Sequence, residues 1–202
     1  MSSWRAAGDF PPTYPHPMQT LTLMLMDGSV PRRARGDMDA CLAAALEGAE
    51  SRLRPEPDAG MLYPFGLVMD ADGVLRKAGQ YDADYSYDTT ATAGALHHLA
   101  DGYRARAAEL RCAVIAYYVR MKEPSPGDTA PVDVRLRRTT DWRNDPSAAP
   151  PGTVDAVAME VEHQSGCALA VFMPFAWQGP AQEFVVGDLM AVPSMRRIWP
   201  AA

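Results

Sequence analysis

The chain lacks the short motifs that would assign it to an enzyme class or a metalloprotein class. It has no Cys-x-x-Cys and no His-x-x-x-His pair, so zinc ligands with the usual spacing are missing. It also has no Gly-x-x-x-x-Gly-Lys phosphate loop, no Gly-x-Gly-x-x-Gly dinucleotide turn and no Gly-x-Ser-x-Gly nucleophile elbow. We therefore expect no cofactor and no resident metal ion.

Positive charge and long apolar runs are also scarce. The 19 basic residues are outnumbered by 25 acidic ones, and the net charge of −6 argues against a nucleic-acid-binding module and against binding to anionic membranes. The first apolar run, Met18–Met26, is interrupted by Thr20 and Thr22 and is far shorter than the ~20 residues of a spanning helix. It does not have the layout of a signal peptide either. We expect a cytoplasmic protein without nucleic-acid or membrane partners.

Cysteine is rare, and the cysteines do not occur in closely spaced pairs. The chain has 3 cysteines, Cys41, Cys112 and Cys167, which lie far apart in the sequence. An odd number without metal-ligand spacing indicates buried, reduced thiols in a reducing compartment.

What the chain does contain is an ordinary globular composition with a clear hairpin. Its 202 residues are 48% hydrophobic, enough for one good core. The segment Tyr63–Leu75 consists of two apolar runs joined by Asp70-Ala71-Asp72-Gly73, a tight-turn sequence. The same residues imitate the start of a calcium loop, but Tyr81 stands where that loop requires a glutamate. We interpret the segment as a β-hairpin.

Helical patterns lie on both sides of this hairpin. Asp37 is a suitable cap for a helix that runs to about Arg54, and Pro31–Gly36 before it has the composition of a solvated linker. A second helix is predicted from about Thr90 to Leu110. The apolar stripe of the first helix comprises Met38, Cys41, Leu42, Ala45, Leu46, Ala49 and Leu53.

Strand patterns occupy the rest of the chain. Cys112–Met121 is apolar on both faces, which is typical of a central strand covered on both sides. Val154–His163 and Cys167–Phe175 flank a Gln-Ser-Gly turn and predict a second hairpin. The remaining predicted strands are Met18–Met26, an edge strand at 132–136, and Phe184–Val192 interrupted by Gly187.

Together these patterns predict an α+β fold. We expect an antiparallel sheet of about 5–7 strands with two main helices packed on one of its faces. The order is α-β-β-α-β-β-β after an N-terminal arm and strand at 1–36, and residues 37–202 form a single domain. The proline-rich residues 1–17 begin that arm.

This element order resembles that of roadblock and profilin-like folds. The segments at 63–73 and from Gly187 onward are also similar to uncharacterised bacterial α+β proteins. The resemblance concerns fold alone and assigns no functional residue.

The polar loop after the first hairpin is the best candidate for an interaction surface. Tyrosine offers a large contact area with a polar tip, and aspartates favour a basic partner. The alternative is that the rings fold back onto the sheet. The candidate residues are Tyr81, Asp82, Asp84, Tyr85 and Tyr87.

A second set of candidates lies around the second hairpin. Glu160 and Glu162 share one strand face and stand about 7 Å apart, a spacing compatible with an acid–base pair. His163 and Cys167 flank the turn and would place an imidazole near a thiol. The competing interpretation is a solvated strand face, with a structural cysteine beside a surface histidine.

The sequence leaves three functions open. The first is a non-catalytic protein-interaction or scaffold protein whose partner is a protein, with a homodimer or other homo-oligomer expected first. The second is a small-molecule binder or hydrolase-like enzyme that uses the residues around the second hairpin. The third is an immunity protein that neutralises a toxin, a role compatible with the acidic charge and the Tyr/Asp loop.

Overall fold

A computed structural model describes residues 30–53, 62–80, 89–122, 152–178 and 183–200. Within them it has two α-helices and one antiparallel sheet, so the predicted α+β class is confirmed. Several predictions concern residues outside these ranges, namely the arm at 1–17, the strand Met18–Met26, the Tyr/Asp loop at 81–88 and the edge strand at 132–136.

The elements of the described ranges are α1 (Arg32–Leu53), β1 (Phe65–Asp70), β2 (Leu75–Gln80), α2 (Thr89–Ala105), a 3₁₀ turn (Ala107–Glu109), β3 (Leu110–Lys122), β4 (Thr153–His163), β5 (Ala168–Gln178), β6 (Glu183–Val186) and β7 (Met190–Pro193). These seven strands form one sheet in the order β2-β1-β3-β4-β5-β6, and β7 pairs with β5, as β6 does. Every pair is antiparallel.

The first hairpin is confirmed and its turn is closed by Asp70. The Asp70 carboxylate accepts hydrogen bonds from the backbone N–H groups of Asp72 at 3.1 Å and Val74 at 2.9 Å. Gly73 has φ +86°, a conformation that side chains other than glycine rarely adopt. The Asp70 side chain therefore stabilises the turn, and Asp72 takes part through its backbone N–H.

Helix α1 begins at Arg32, five residues before the predicted cap at Asp37. The carbonyl of Pro31 accepts the Arg35 N–H at 3.0 Å, which closes the first turn. Residues 31–33 and 36 are exposed, as predicted, but residues 32–36 belong to the helix and Ala34 is buried, so the prediction of a linker at 31–36 is wrong. Asp37 lies inside the helix, and its carboxylate makes contacts with the sheet instead of capping.

The two helices cover opposite faces of the sheet, so the prediction that they share one face is wrong. Alternate residues of β3 explain the difference: Cys112 and Val114 pack in the core with α1, whereas Ala113 and Ile115 pack in the core with α2. A strand with apolar side chains on both faces can bury both faces only when a separate layer packs on each of them.

The last predicted strand is divided into two short ones. β6 pairs with residues 175–178 of β5, and β7 pairs with residues 169–172. The N–H of Gly187 donates to the Pro174 carbonyl at 2.8 Å, so the break between β6 and β7 lies opposite Pro174 of β5. Neither helix in the described ranges has the length and apolarity that a membrane crossing requires.

Candidate functional site

A cluster of polar side chains lies where α1 crosses the end of the β3–β4 pair. We call Asp37, Arg111, His163, Ser165 and Cys167 the Asp37–His163 cluster. Asp37 is 9% exposed and His163 is 4% exposed, so both titratable groups are buried. Arg111 donates from Nε to Asp37 Oδ2 at 3.0 Å and from Nη2 to Oδ1 at 2.5 Å. This bidentate pair joins α1 to β3.

The turn between β4 and β5 brings Ser165 to the histidine. The N–H of Gly166 donates to the His163 carbonyl at 2.9 Å, and Gly166 has φ +91°, as is usual in a three-residue hairpin loop. This geometry places Ser165 Oγ 2.8 Å and the Ser165 N–H nitrogen 3.0 Å from His163 Nδ1. The turn thus places both the N–H and the hydroxyl of Ser165 within hydrogen-bond reach of Nδ1.

These contacts define the tautomer of His163. Because Nδ1 accepts the Ser165 N–H, it carries a lone pair, and the proton of the neutral ring is on Nε2. Nε2 then donates to Asp37 Oδ2, 3.2 Å away. His163 therefore lies between the buried Asp37 carboxylate and the exposed Ser165.

Burial keeps His163 neutral. It lowers the pKa of His163 below its ordinary value of 6.5, and the Asp37 carboxylate, which acts in the opposite direction, does not compensate. The cations Arg111 and Arg33 lower the pKa of His163 further. The imidazole is therefore a free base near neutral pH.

The lowered pKa makes stability depend on pH. Between the pKa of folded His163 and 6.5 the unfolded chain binds more protons, so the contribution of His163 to stability is present above pH 6.5 and is lost as pH falls through the folded pKa. We expect the urea midpoint to fall between about pH 7.5 and about pH 5.5 by more in the wild type than in His163→Gln.

The control for this measurement is His97→Gln, since His97 is exposed on α2. That variant should keep the pH dependence of the wild type. A His163→Gln protein with the same pH dependence as the wild type would show that His163 is not the responsible group.

The structure changes the sequence-based view of His163 and Cys167. The histidine is buried rather than on the surface, and the cysteine is only partly buried. The two are backbone partners, because the His163 N–H donates to the Cys167 carbonyl at 2.9 Å. Ser165 lies between the side chains, with its Oγ 3.5 Å from Cys167 Sγ.

Glu160 and Glu162 lie on the other face of β4, away from His163. Glu162 is buried and accepts the backbone N–H groups of Arg197 at 2.7 Å and Ile198 at 2.9 Å. Glu160 accepts the Tyr117 hydroxyl at 2.6 Å and pairs with Arg197. These carboxylates hold the C-terminal segment, so the four residues proposed around the second hairpin do not converge on one site.

A groove of about 420 Å³ lies between β2 and α2. The Tyr103 hydroxyl closes part of it by donating to the Ala78 carbonyl at 2.9 Å, and the ring of Tyr103 leaves no room for a Cβ at Gly66. A Cβ at Gly102 would meet only open space. The lining residues are Ala78, Gly79, His98, Leu99, Gly102, Tyr103 and Arg106.

Sequence reasoning missed three members of the Asp37–His163 cluster. The sequence predicts Asp37 as a helix cap, no nucleophile elbow surrounds Ser165, and no pattern in the sequence singles out Arg111. Their meeting depends on α1 crossing β3 and β4, and no local pattern encodes that crossing. Within the described ranges, no group of three or more His, Cys, Asp or Glu is arranged to hold a metal ion.

The chain was compared with protein-family models, with curated proteins and with solved structures, and none of them matches it.

Proposed function

We propose that the protein is a binding protein that takes a basic, extended segment of a partner protein into the groove between β2 and α2. The observation that carries this proposal is the groove itself, a concave surface of about 420 Å³ with small residues at Ala78, Gly79 and Gly102. A floor of small residues lets a backbone approach closely, and the Tyr103 ring offers an apolar wall.

The charge of the partner follows from how the cations near the groove are paired. Arg106, the arginine among the lining residues, is bound to Glu109 at 3.1 Å, so it adds little net charge to the helix side of the groove. In the sequence, residues 81–88 between β2 and α2 include three aspartates, Asp82, Asp84 and Asp88. A basic partner complements this charge.

Addition of a strand at β2 is a weaker alternative. β2 has one neighbour in the described sheet, but its edge carries Arg76 and Lys77, and a bulge lies near Gly79, which has φ +133°. Charged side chains and bulges at an edge disfavour pairing with another strand. If the protein forms the expected homo-oligomer, we expect the second copy to bind in the groove rather than at the edge of β2. The experiment below tests this alternative as well.

The experiment compares two glycine variants of α2. Gly102→Leu fills the groove, and Gly94→Leu is its matched control, because a Cβ at either position meets open space and only Gly102 lines the groove. Both changes remove a helical glycine and should stabilise the protein by roughly 0.5–1 kcal/mol.

The probe is a library of random linear peptides displayed on phage. We expect selection to enrich basic peptides that bind the wild type and Gly94→Leu equally and bind Gly102→Leu at least about tenfold more weakly. Enriched peptides without basic residues, or equal binding to both variants, would contradict the proposal. If light scattering shows a dimer for Gly94→Leu and a monomer for Gly102→Leu, the occupant of the groove is a second copy of the chain and not a segment of another protein.

A further inference from the structure

The Asp37–His163 cluster contains the parts of a nucleophilic site that the binding proposal does not use. Ser165 is exposed, and its Oγ is 2.8 Å from His163 Nδ1, within hydrogen-bond reach of a base. The other ring nitrogen, Nε2, is oriented by the buried Asp37 carboxylate at 3.2 Å. A hydroxyl, a neutral imidazole and a carboxylate in this order form the usual constellation of an activated serine.

We propose that Ser165 is a nucleophile that accepts an acyl group from activated carboxylic esters, with His163 as its base and Asp37 as a positioning residue. The Ser165 O–H bond breaks and its proton moves to His163 Nδ1. Oγ forms a bond to the carbonyl carbon, and the bond from that carbon to the leaving oxygen then breaks. The leaving alkoxide or phenoxide takes the proton from Nδ1, so the products are an acyl ester of Ser165 and an alcohol or phenol.

The surrounding charges favour a negatively charged acyl donor. The Arg196 guanidinium lies over Gly166, next to Ser165, so that a Cβ at Gly166 would approach its Nη1 to 2.8 Å. Arg33 is exposed and near enough to His163 to act on it electrostatically. These cations can stabilise both an anionic substrate and the negative charge that develops on the carbonyl oxygen.

The same geometry limits the rate. His163 Nδ1 also accepts the Ser165 N–H at 3.0 Å, and this hydrogen bond is lost when Nδ1 becomes protonated. The imidazolium is therefore disfavoured. In the acylation step an activated ester expels a stable leaving group of its own, whereas hydrolysis must expel the Ser165 alkoxide, which needs a proton from that imidazolium. We expect one fast acylation per chain followed by slow turnover.

The test uses the full chain with 4-nitrophenyl acetate as a neutral probe and 4-nitrophenyl hemisuccinate as an anionic one. We expect a burst of about one nitrophenolate per chain and, by intact mass and peptide mapping, an acyl group on Ser165. Ser165→Ala should lose the burst, and His163→Gln should slow it by at least about 100-fold. Ser51→Ala is the matched control and should react as the wild type does, since Ser51 is an exposed serine on α1.

Two further measurements separate chemistry from folding. Acylation of the wild type should depend on pH as the neutral fraction of His163 does, with its midpoint below 6.5, whereas an unassisted hydroxyl would react in proportion to hydroxide. Ser165→Cys should retain a nucleophile at the same place and react with iodoacetamide at that position. An acyl group mapped to Cys167 or a lysine, an unchanged burst in Ser165→Ala, or a rate first order in hydroxide would overturn the proposal.

Discussion

Replacing Asp37 with asparagine is expected to lower the free energy of unfolding by about 3–5 kcal/mol, the usual result of removing one partner of a buried ion pair. The side chain of Arg111 is only 11% exposed and that of Asp37 only 12% exposed. Asparagine keeps an acceptor for one Arg111 N–H but leaves the guanidinium charge without its counter-ion. Urea unfolding at neutral pH, monitored by circular dichroism, measures the change.

A double variant tests the physical cause. Arg111→Met alone should also destabilise the protein, because it leaves the Asp37 carboxylate buried without its cation. Asp37→Asn combined with Arg111→Met buries no unpaired charge and should therefore cost less than the sum of the two single changes. The control is Asp101→Asn in the exposed Asp101–Arg104 pair, for which we expect a change of about 0–1 kcal/mol. If the loss of unfolding free energy in the double variant equals the sum of the losses in the two single variants, the two groups do not stabilise each other.

Replacing Glu162 with glutamine is expected to lower the free energy of unfolding by about 3 kcal/mol and to release the C-terminal segment. The carboxylate accepts N–H groups from three consecutive residues, Arg197 at 2.7 Å, Ile198 at 2.9 Å and Trp199 at 3.3 Å. An amide in this place directs its own N–H bonds at one of those donors, and the buried N–H of Ile198 has no replacement partner.

Two measurements check this expectation. The urea midpoint should fall, and carboxypeptidase should remove residues after Ser194 faster than it does from the wild type. Glu109→Gln is the control, since Glu109 is an exposed carboxylate with a single arginine partner, and it should change the stability by about 0–1 kcal/mol. An unchanged midpoint together with unchanged digestion of Glu162→Gln would mean that water satisfies these N–H groups.

The sequence was sufficient for features that depend on local pattern. All seven apolar positions of the first predicted stripe, from Met38 to Leu53, are buried in α1. The hairpin turn at Asp70 was recognised because its hydrogen bonds are made within five residues. Such features follow from periodicity and turn chemistry, which a short window of sequence contains.

Features that depend on distant contacts were missed. Asp37 has the residue type of a helix cap, but the Pro31 carbonyl starts the helix and leaves Asp37 to meet Arg111 and His163. The opposite placement of the two helices was implied by β3, which is apolar on both faces, but the order of elements suggested a single covered face. The role proposed for Ser165 could not be predicted, because Asp37, which contacts its partner His163, comes from α1 and no motif connects the two.

The double-sided burial of β3 has a consequence for how the sheet finds its alignment. Where both faces of a strand pair are apolar, a shift of one residue exchanges one apolar face for another, and the hydrophobic pattern gives little discrimination. Polar contacts at the two ends of β4 distinguish the correct register instead: Asp155 binds Arg120 at 2.6 Å, and His163 binds Asp37. A shifted β4 would turn both side chains away from Arg120 and Asp37 and towards the opposite face of the sheet. These buried polar contacts therefore set the register of a strand pair whose hydrophobic pattern does not define it.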